Sequence, residues 1–367
     1  MFFDEINTCN SIGLLNEIIC KHSYNGIKID ENIVFIAACN PYRKAKEQIN
    51  GLIYPGSKHK TLVYTVNPLP FSLLNFVFNF GSLTKEDEEK YIKSILEETM
   101  NKYFIDDKNK EINELKNMAL KSLVYSHDFI KRQSDVSSVS LREIRRFNIF
   151  FDYYLVYYAK KEEFILENKE IMSEDNSKIL TLYEKYKNCI MLSIFICYYL
   201  RISNPDYQAR FKRGINPIFK ADFWKSFERE ADFILDEIRP YKGIAKNNAL
   251  KRNIFTMFSC INAKVPLFIV GKPGSSKSLS VQLIFKAMKG NLSESNFFKK
   301  FPSIIMNSFQ GSENTNSKGV ERIFDKAERV LNNFHQKGKE NNFISLIFFD
   351  EMGLAEISEN NPLKVLH

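Results

Sequence analysis

The 367-residue sequence predicts an α/β fold, with partial parallel sheets and their helices on either side of an all-α region. Three observations lead there. Short apolar runs alternate with helical stretches at both ends of the chain. Between residues 84 and 240 the apolar residues recur at helical spacing. A loop rich in glycine and serine, GKPGSSKS (271–278), stands between an apolar run and an amphipathic segment. The length suggests two to three domains, and 32 Phe with 17 Tyr demand sizeable cores. Only 14 Gly and 11 Pro disfavour a turn-rich all-β chain.

Taken in order, residues 1–5 read as the end of a strand followed by Asp4 and Glu5. GLLNEIICKHS (13–23) reads as a helix. NIVFIAACN (32–40) reads as a buried strand ending in Asn40, and TLVYTV (61–66), after the turn signal YPGSK, as a third strand. At Thr84 the pattern turns helical: its hydroxyl suits an N-cap, and Glu86 and Asp87 suit the positive end of the helix dipole. From Ser140 or Leu141 a second helix carries Ile144, Phe147, Phe151, Tyr154, Leu155 and Tyr158 on one face. That aromatic stripe reads as core rather than as a base-stacking surface. Further helices are expected over 178–201 and 221–238. The apolar stretch CIMLSIFICYYL (189–200) is too short to span a bilayer and reads as a buried helix, so no transmembrane segment is expected. Pro240 to Gly243 marks a boundary, giving segments 1–83, 84–240 and 241–367. Beyond it come a helix (244–263), a buried strand VPLFIV (265–270), the loop, a helix bearing Leu279, Leu283, Ile284, Ala287 and Met288, and a strand SLIFFDE (345–351).

The net charge of +8 is spread thinly, without a run of five basic residues and with Lys and Glu interleaved as in 85–98. A solvated surface is the better reading, and nucleic acid is not an expected partner. Six cysteines without a CxxC pair and five histidines without ligand spacing exclude a zinc ribbon or RING within this chain. The thiols read as reduced and mostly buried, and MFFDEIN lacks the basic start of a signal peptide, so a cytoplasmic location is expected.

The loop carries the chemistry. In Gly271, Pro273, Gly274, Ser275, Ser276, Lys277 and Ser278, small residues let consecutive backbone N–H groups approach phosphate oxygens, and the following helix, from Leu279, adds its positive end. Lys277 would reach the β/γ-phosphates and Ser278 would offer a hydroxyl to Mg²⁺. The position usually held by a third glycine is Ser276. Seventy-three residues past Lys277, an apolar run ends in Asp350-Glu351, a pair suited to holding the metal shell and polarising a water. Asp4-Glu5 repeats the device: FFDEINT (2–8) is echoed by FFDEMGL (348–354), 346 residues on, as tandem copies of one large domain would be. Asn40 then sits where a polar side chain could contact a γ-phosphate or the water, and Arg142 where a guanidinium could reach a phosphate.

The order strand–DE, strand–Asn, helical region with Arg, strand–P-loop–helix–strand–DE resembles the AAA+ P-loop NTPases, cut across two consecutive modules. The phrases FFDEINT, FIAACNPYR (35–43), LVYTVNPLP (62–70), NFGSL (79–83), VSLREIRRF (139–147), CYYLRI (197–202), PLFIVGKPGSSKSL (266–279), FFDEMGLAE (348–356) and NPLKVLH (361–367) resemble the mysterin-like giant E3 ubiquitin ligases, which are RING-type with a dynein-like AAA+ core. The resemblance covers nearly the whole chain. It implies ATP and Mg²⁺ as cofactors. Asp4 and Glu5 match the Walker B motif of one module, with Asn40 as its sensor 1 and Arg142 as its sensor 2. Lys277 and Ser278 match the Walker A motif of the next, with Asp350 and Glu351 as its Walker B. Asp4, Asp350 and Ser278 would serve the metal, and Glu5 and Glu351 catalysis. The family's own loop also reads GKPGSSKS, so Ser276 does not imply a dead site. No arginine occurs in PLPFSLLNFVFNFG (68–81), where many AAA+ modules carry a trans-acting finger.

The resemblance further implies that the chain is a piece of a larger product in which neither nucleotide site is complete. Its expected partners are neighbouring AAA+ modules of the same polypeptide or ring, with the ubiquitin machinery reached only through the full-length protein. A dynein- or midasin-like mechanical ATPase, or a nucleotide-binding structural module without turnover, are the alternatives.

Overall fold

A computed structural model describes residues 1–9, 11–41, 66–81, 83–104, 109–133, 138–168, 179–239, 243–335, 343–356 and 362. The expected strand over 61–66 lies, but for Val66, outside the described residues. The chain forms two units, Met1–Leu83 and Thr84–His367.

In the first unit, β1 (Phe2–Phe3) pairs in parallel with β4 (Ile36–Ala37), and the hairpin β2 (Ser23–Tyr24) with β3 (Ile27–Lys28) turns at Asn25-Gly26. Helix α1 (Ile12–Lys21) lies between β1 and β2, and a single turn, α2 (Phe71–Leu74), follows. The expectation of a buried strand over 32–40 is corrected here. Only Ile36 and Ala37 join a ladder, and Ile36 is 63% exposed, because β1 is its one ladder neighbour among the described residues.

The second unit opens with helices α3 (Lys85–Tyr103), α4 (Lys110–Gln133), α5 (Arg142–Glu167), α6 (Leu182–Cys197), α7 (Pro205–Phe219) and α8 (Phe223–Ile238). Local chemistry starts each one. The Thr84 hydroxyl accepts from the Asp87 N–H, Thr181 and Glu184 form a reciprocal capping box, and Asn204 precedes Pro205 at the first helical position. At α5 the Arg142 N–H donates to Ser140 Oγ, while the buried Glu143 carboxylate accepts from the Ser140 N–H and pairs with Arg146 and Arg201. The aromatic stripe of α5 is core, as the spacing predicts: Phe147, Phe151, Tyr154 and Tyr157 are almost wholly buried. So is the stretch 189–200, in α6 and the turn after it, and no helix among the described residues is long and apolar enough to cross a membrane. Of the six cysteines, all free, Cys189, Cys197 and Cys260 are buried; Cys9 and Cys20 are half-buried and Cys39 is exposed.

Inside this core lies one charged cluster. Glu230 is completely buried and accepts from Lys161 Nζ (2.6 Å) and Tyr157 Oη (2.8 Å), with Arg229 Nε at 3.3 Å. Burial pushes the carboxyl up. The charges of Lys161 and Arg229 and the two hydrogen bonds outweigh it and hold Glu230 below the usual carboxylate range.

After the boundary come α9 (Asn248–Asn262), α10 (Lys277–Ala287), β5 (Ser303–Gln310), α11 (Ser317–His335), β6 (Phe343–Asp350) and α12 (Met352–Glu356). β5 and β6 run parallel in register from Ser303↔Phe343 to Gln310↔Asp350. Among the described residues the expected strand 265–270 enters no ladder: Leu267, Phe268 and Val270 stay 37–70% exposed, and Val265 donates back to the Cys260 carbonyl. One continuous apolar core runs from Ile92 of α3 to Ile304 of β5, so α9 and α10 share the core of the preceding helices.

His127 in α4 is buried. Its Nδ1 faces the Glu88 carboxylate at 3.3 Å, and Lys131 pairs with the same carboxylate. Burial holds the imidazole below its ordinary pKa, against the opposing pull of Glu88. The folded state therefore binds fewer protons than the unfolded chain, for which the pKa is about 6.5. The stability that this group contributes is present above that value and lost as pH falls through the lower, folded pKa. Denaturant titrations at pH 7.5 and 5.5 should show the wild-type chain losing stability between them, and His127→Gln losing less.

Candidate functional site

The loop before α10 is built by its own backbone and by Lys277. The Ser275 N–H donates to the Lys272 carbonyl (3.2 Å), closing a turn. Gly274 has φ +80°, a conformation that glycine adopts without strain, and Ser276 follows at φ +60°, ψ +21° as the residue before the helix. This is why the position is usually glycine. The Ser276 carbonyl is held by the Ser280 N–H (3.0 Å) and the Ser280 hydroxyl (2.6 Å). Lys277 folds back, its ammonium donating to the carbonyls of Gly271 (2.5 Å) and Lys272 (3.1 Å) and reaching Ser275 Oγ at 3.4 Å. Peptide groups whose carbonyls face that ammonium turn their N–H groups the other way. Pro273 and Ser278 are exposed, and Leu279 packs partly against the core.

At the end of β6, Asp350 and Glu351 are exposed. The Glu351 N–H donates to Asp350 Oδ1 (3.0 Å), Glu351 takes φ +51°, and its carbonyl accepts from the Leu354 N–H to begin α12. Across the ladder, the Gly311 N–H donates to the Asp350 carbonyl (2.8 Å). Beneath this end, Asn307 Nδ2 donates to Ser345 Oγ, which donates to the Ala327 carbonyl and so ties both strands to α11. No hydrogen bond or ion pair among the described residues joins Lys277 or Ser278 to Asp350 or Glu351. Nor do the described residues hold a cluster of three metal-ligating side chains.

The first unit repeats the acidic corner. The Glu5 N–H donates to Asp4 Oδ1 (3.0 Å), Glu5 has φ +48°, and the Thr8 N–H donates to the Glu5 carbonyl (2.9 Å). The 346-residue echo is thus an echo of backbone geometry as well as of letters. Here a polar partner is present: Asn40 Nδ2 donates to Glu5 Oε1 (3.1 Å). Asn7, which the sequence reading did not single out, positions it. Asn7 is buried, donates to the Asn40 carbonyl (2.7 Å) and accepts from the Asn40 N–H (3.3 Å). A polar residue two places after the DE pair was the available signal. Arg142 belongs to the second unit, exposed at the first turn of α5.

A parallel β-pair ending in acids and a serine- and glycine-lined turn that opens a helix are features that AAA+ proteins share. Residues 243–367 match the family model described as the RNF213 AAA domain. Along its whole length the chain is 32% identical to the human E3 ubiquitin-protein ligase RNF213 and 32% identical to the zebrafish (Danio rerio) E3 ubiquitin-protein ligase rnf213-beta. It is 30% identical to the mouse RNF213, and it spans 7% of the length of each of these relatives. The chain is an RNF213-like AAA+ segment, which bears out the mysterin-like resemblance.

Gly311 marks how tightly the acidic corner is built. A Cβ there would lie 2.6 Å from the Glu351 carbonyl oxygen and 3.1 Å from Ala355 Cβ. Gly311→Ala should therefore displace the Asp350-Glu351 corner and destabilise the chain by about 1–3 kcal/mol, read from the denaturation midpoint.

Proposed function

We propose that this segment binds ATP with Mg²⁺ through residues 271–279 as part of an RNF213-like AAA+ motor, and that hydrolysis belongs to the complete protein. The observation that carries this reading is the loop itself. Left-handed turns at Gly274 and Ser276 lead into the N-terminus of the eleven-residue helix α10, and the Lys277 ammonium lies within hydrogen-bonding reach of the loop carbonyls. Such a turn gathers N–H groups for a phosphate tail, and the helix end adds positive potential.

The donors fit magnesium, which takes one or two carboxylates and completes its shell with phosphate oxygens and water. Asp350 is exposed and spends one carboxylate oxygen on the Glu351 N–H, and Ser278, also exposed, lies in the first turn of α10; these two would hold the ion. Bound there, the ion would neutralise charge on the β- and γ-phosphates. Glu351 would orient the attacking water. Asp4, Glu5 and Asn40 would serve a preceding module in the same roles, with Arg142 as its phosphate-sensing arginine.

The remaining assignments are proposals of the same kind. Exposed Phe71, Phe78 and Phe80, each more than 80% accessible, support packing against neighbouring AAA+ modules of one polypeptide. The ubiquitin machinery would be engaged by the full-length protein, and the setting would be cytoplasmic.

Fluorescent-nucleotide titration of the chain tests the reading. Wild type should bind MgATP weakly, and Lys277→Ala should weaken binding roughly 10- to 100-fold with an unchanged melting temperature. Equal binding by the two proteins would remove the assignment. Steady ATP turnover by this chain alone, at the rate of a complete AAA+ ring, would remove the claim that hydrolysis needs the rest of the protein.

A further inference from the structure

We propose that Asn253, on α9, is a positioning residue for the phosphate loop: its side-chain amide fixes the Ser275–Ser276 peptide in the orientation that binding requires. This deepens the nucleotide reading given above and rests on it. Asn253 Nδ2 donates to the Ser275 carbonyl at 2.9 Å. Asn253 is half-buried in the second turn of α9, and the same helix buries Leu250, Ile254, Phe255, Met257 and Phe258 completely or nearly so. The donor therefore stands on a rigid support rather than on a loop.

The bond matters because of the peptide it holds. In a trans peptide the carbonyl and the following N–H point in opposite directions. With its carbonyl drawn toward α9, the Ser275–Ser276 unit must direct the Ser276 N–H away from α9. Ser276 is also the strained residue of the loop, in left-handed backbone at φ +60° without glycine's freedom. On its far side the Ser276 carbonyl is tied to Ser280. Asn253 supplies the matching tie on the near side, so the strained residue is held at both of its peptides. The Lys277 ammonium bonds to Gly271 and Lys272 and makes its longest contact, 3.4 Å, with the Ser275 hydroxyl. Among the described residues, Asn253 is the side chain outside the loop and α10 that bonds to the loop backbone.

The test uses the full chain and two variants. Asn253→Ala removes the donor. Asn253→Asp keeps the shape but sets a carboxylate against the Ser275 carbonyl. Affinity for MgADP should fall about 3- to 10-fold in Asn253→Ala and further in Asn253→Asp. The ³¹P resonance of the bound β-phosphate should move in both variants, which a role confined to packing would not produce. Melting temperatures without nucleotide should stay at the wild-type value for Asn253→Asp. Should Asn253→Ala unfold, the isosteric Asp variant decides alone. If wild type binds MgADP and the folded variants bind it equally, with an unmoved β-phosphate resonance, the inference about Asn253 is overturned while the nucleotide reading stands. If wild type itself binds no MgADP, the nucleotide reading falls and the inference with it.

Discussion

Three residues at the corners of the candidate sites share one costly backbone state, and the local geometry of those corners depends on it. Glu5, Ser276 and Glu351 have φ of +48°, +60° and +51°. For a residue with a Cβ this conformation costs roughly 1–2 kcal/mol. The other non-glycine residues with positive φ among those described are His22, Asn25, Lys220, Arg239 and Lys264. Their places explain them: His22, Lys220 and Arg239 end helices, Lys264 follows one, and Asn25 makes a hairpin turn. The three corners have no such ordinary reason. Each is instead clamped by local bonds. At both acidic corners the preceding Asp carboxylate takes the Glu N–H, and a residue three further on returns an N–H to the Glu carbonyl. Backbone strain held in place by its surroundings clusters at functional sites in proteins generally.

This pattern also explains what could be read from the sequence. The DE pairs were legible because the strained corner selects a short acidic residue that bonds its neighbour's N–H, and because the same solution occurs twice. The turn before α10 was legible because glycine takes the left-handed backbone found at Gly274 without strain. The aromatic core was legible from its spacing, since a stripe as wide as that of α5 has to be covered. β5 escaped notice because Asn307 sits buried in the middle of it, so the apolar alternation is broken by a residue serving the bond to Ser345. Helix α11 went unread although Val320, Ile323 and Ala327 form its buried face at helical spacing. The Asn7–Asn40 pairing lay beyond reach for a different reason: no spacing rule connects residues 33 positions apart.

Residues 265–270 show how far local pattern can mislead. VPLFIV is an apolar run that reads as a buried strand, yet exposed Phe268 and Val270 and the lack of a ladder among the described residues show that burial is a property of neighbours, not of the run itself. A strand is defined by what hydrogen-bonds to it, and here β6 pairs with β5 while the segment leading into the phosphate loop pairs with neither.

Among the described residues, the side-chain bond that reaches the loop from outside comes from the helical side. Asn253 on α9 holds Ser275, α10 continues from Ser276, and both helices bury their apolar faces in the core shared with α5, α6 and α8. That core in turn contains the Glu230 cluster, whose partners come from α5 and α8. A buried ion cluster tolerates little relative sliding of the elements that carry it, because separating the charges leaves each unpaired in a medium of low dielectric constant. The Glu230 cluster therefore resists sliding of α5 against α8, and α9 and α10 pack into the same core. The acidic corner at 350–351 ends β6, which pairs with β5, and this strand pair reaches the same apolar core through Ile304 and Leu346.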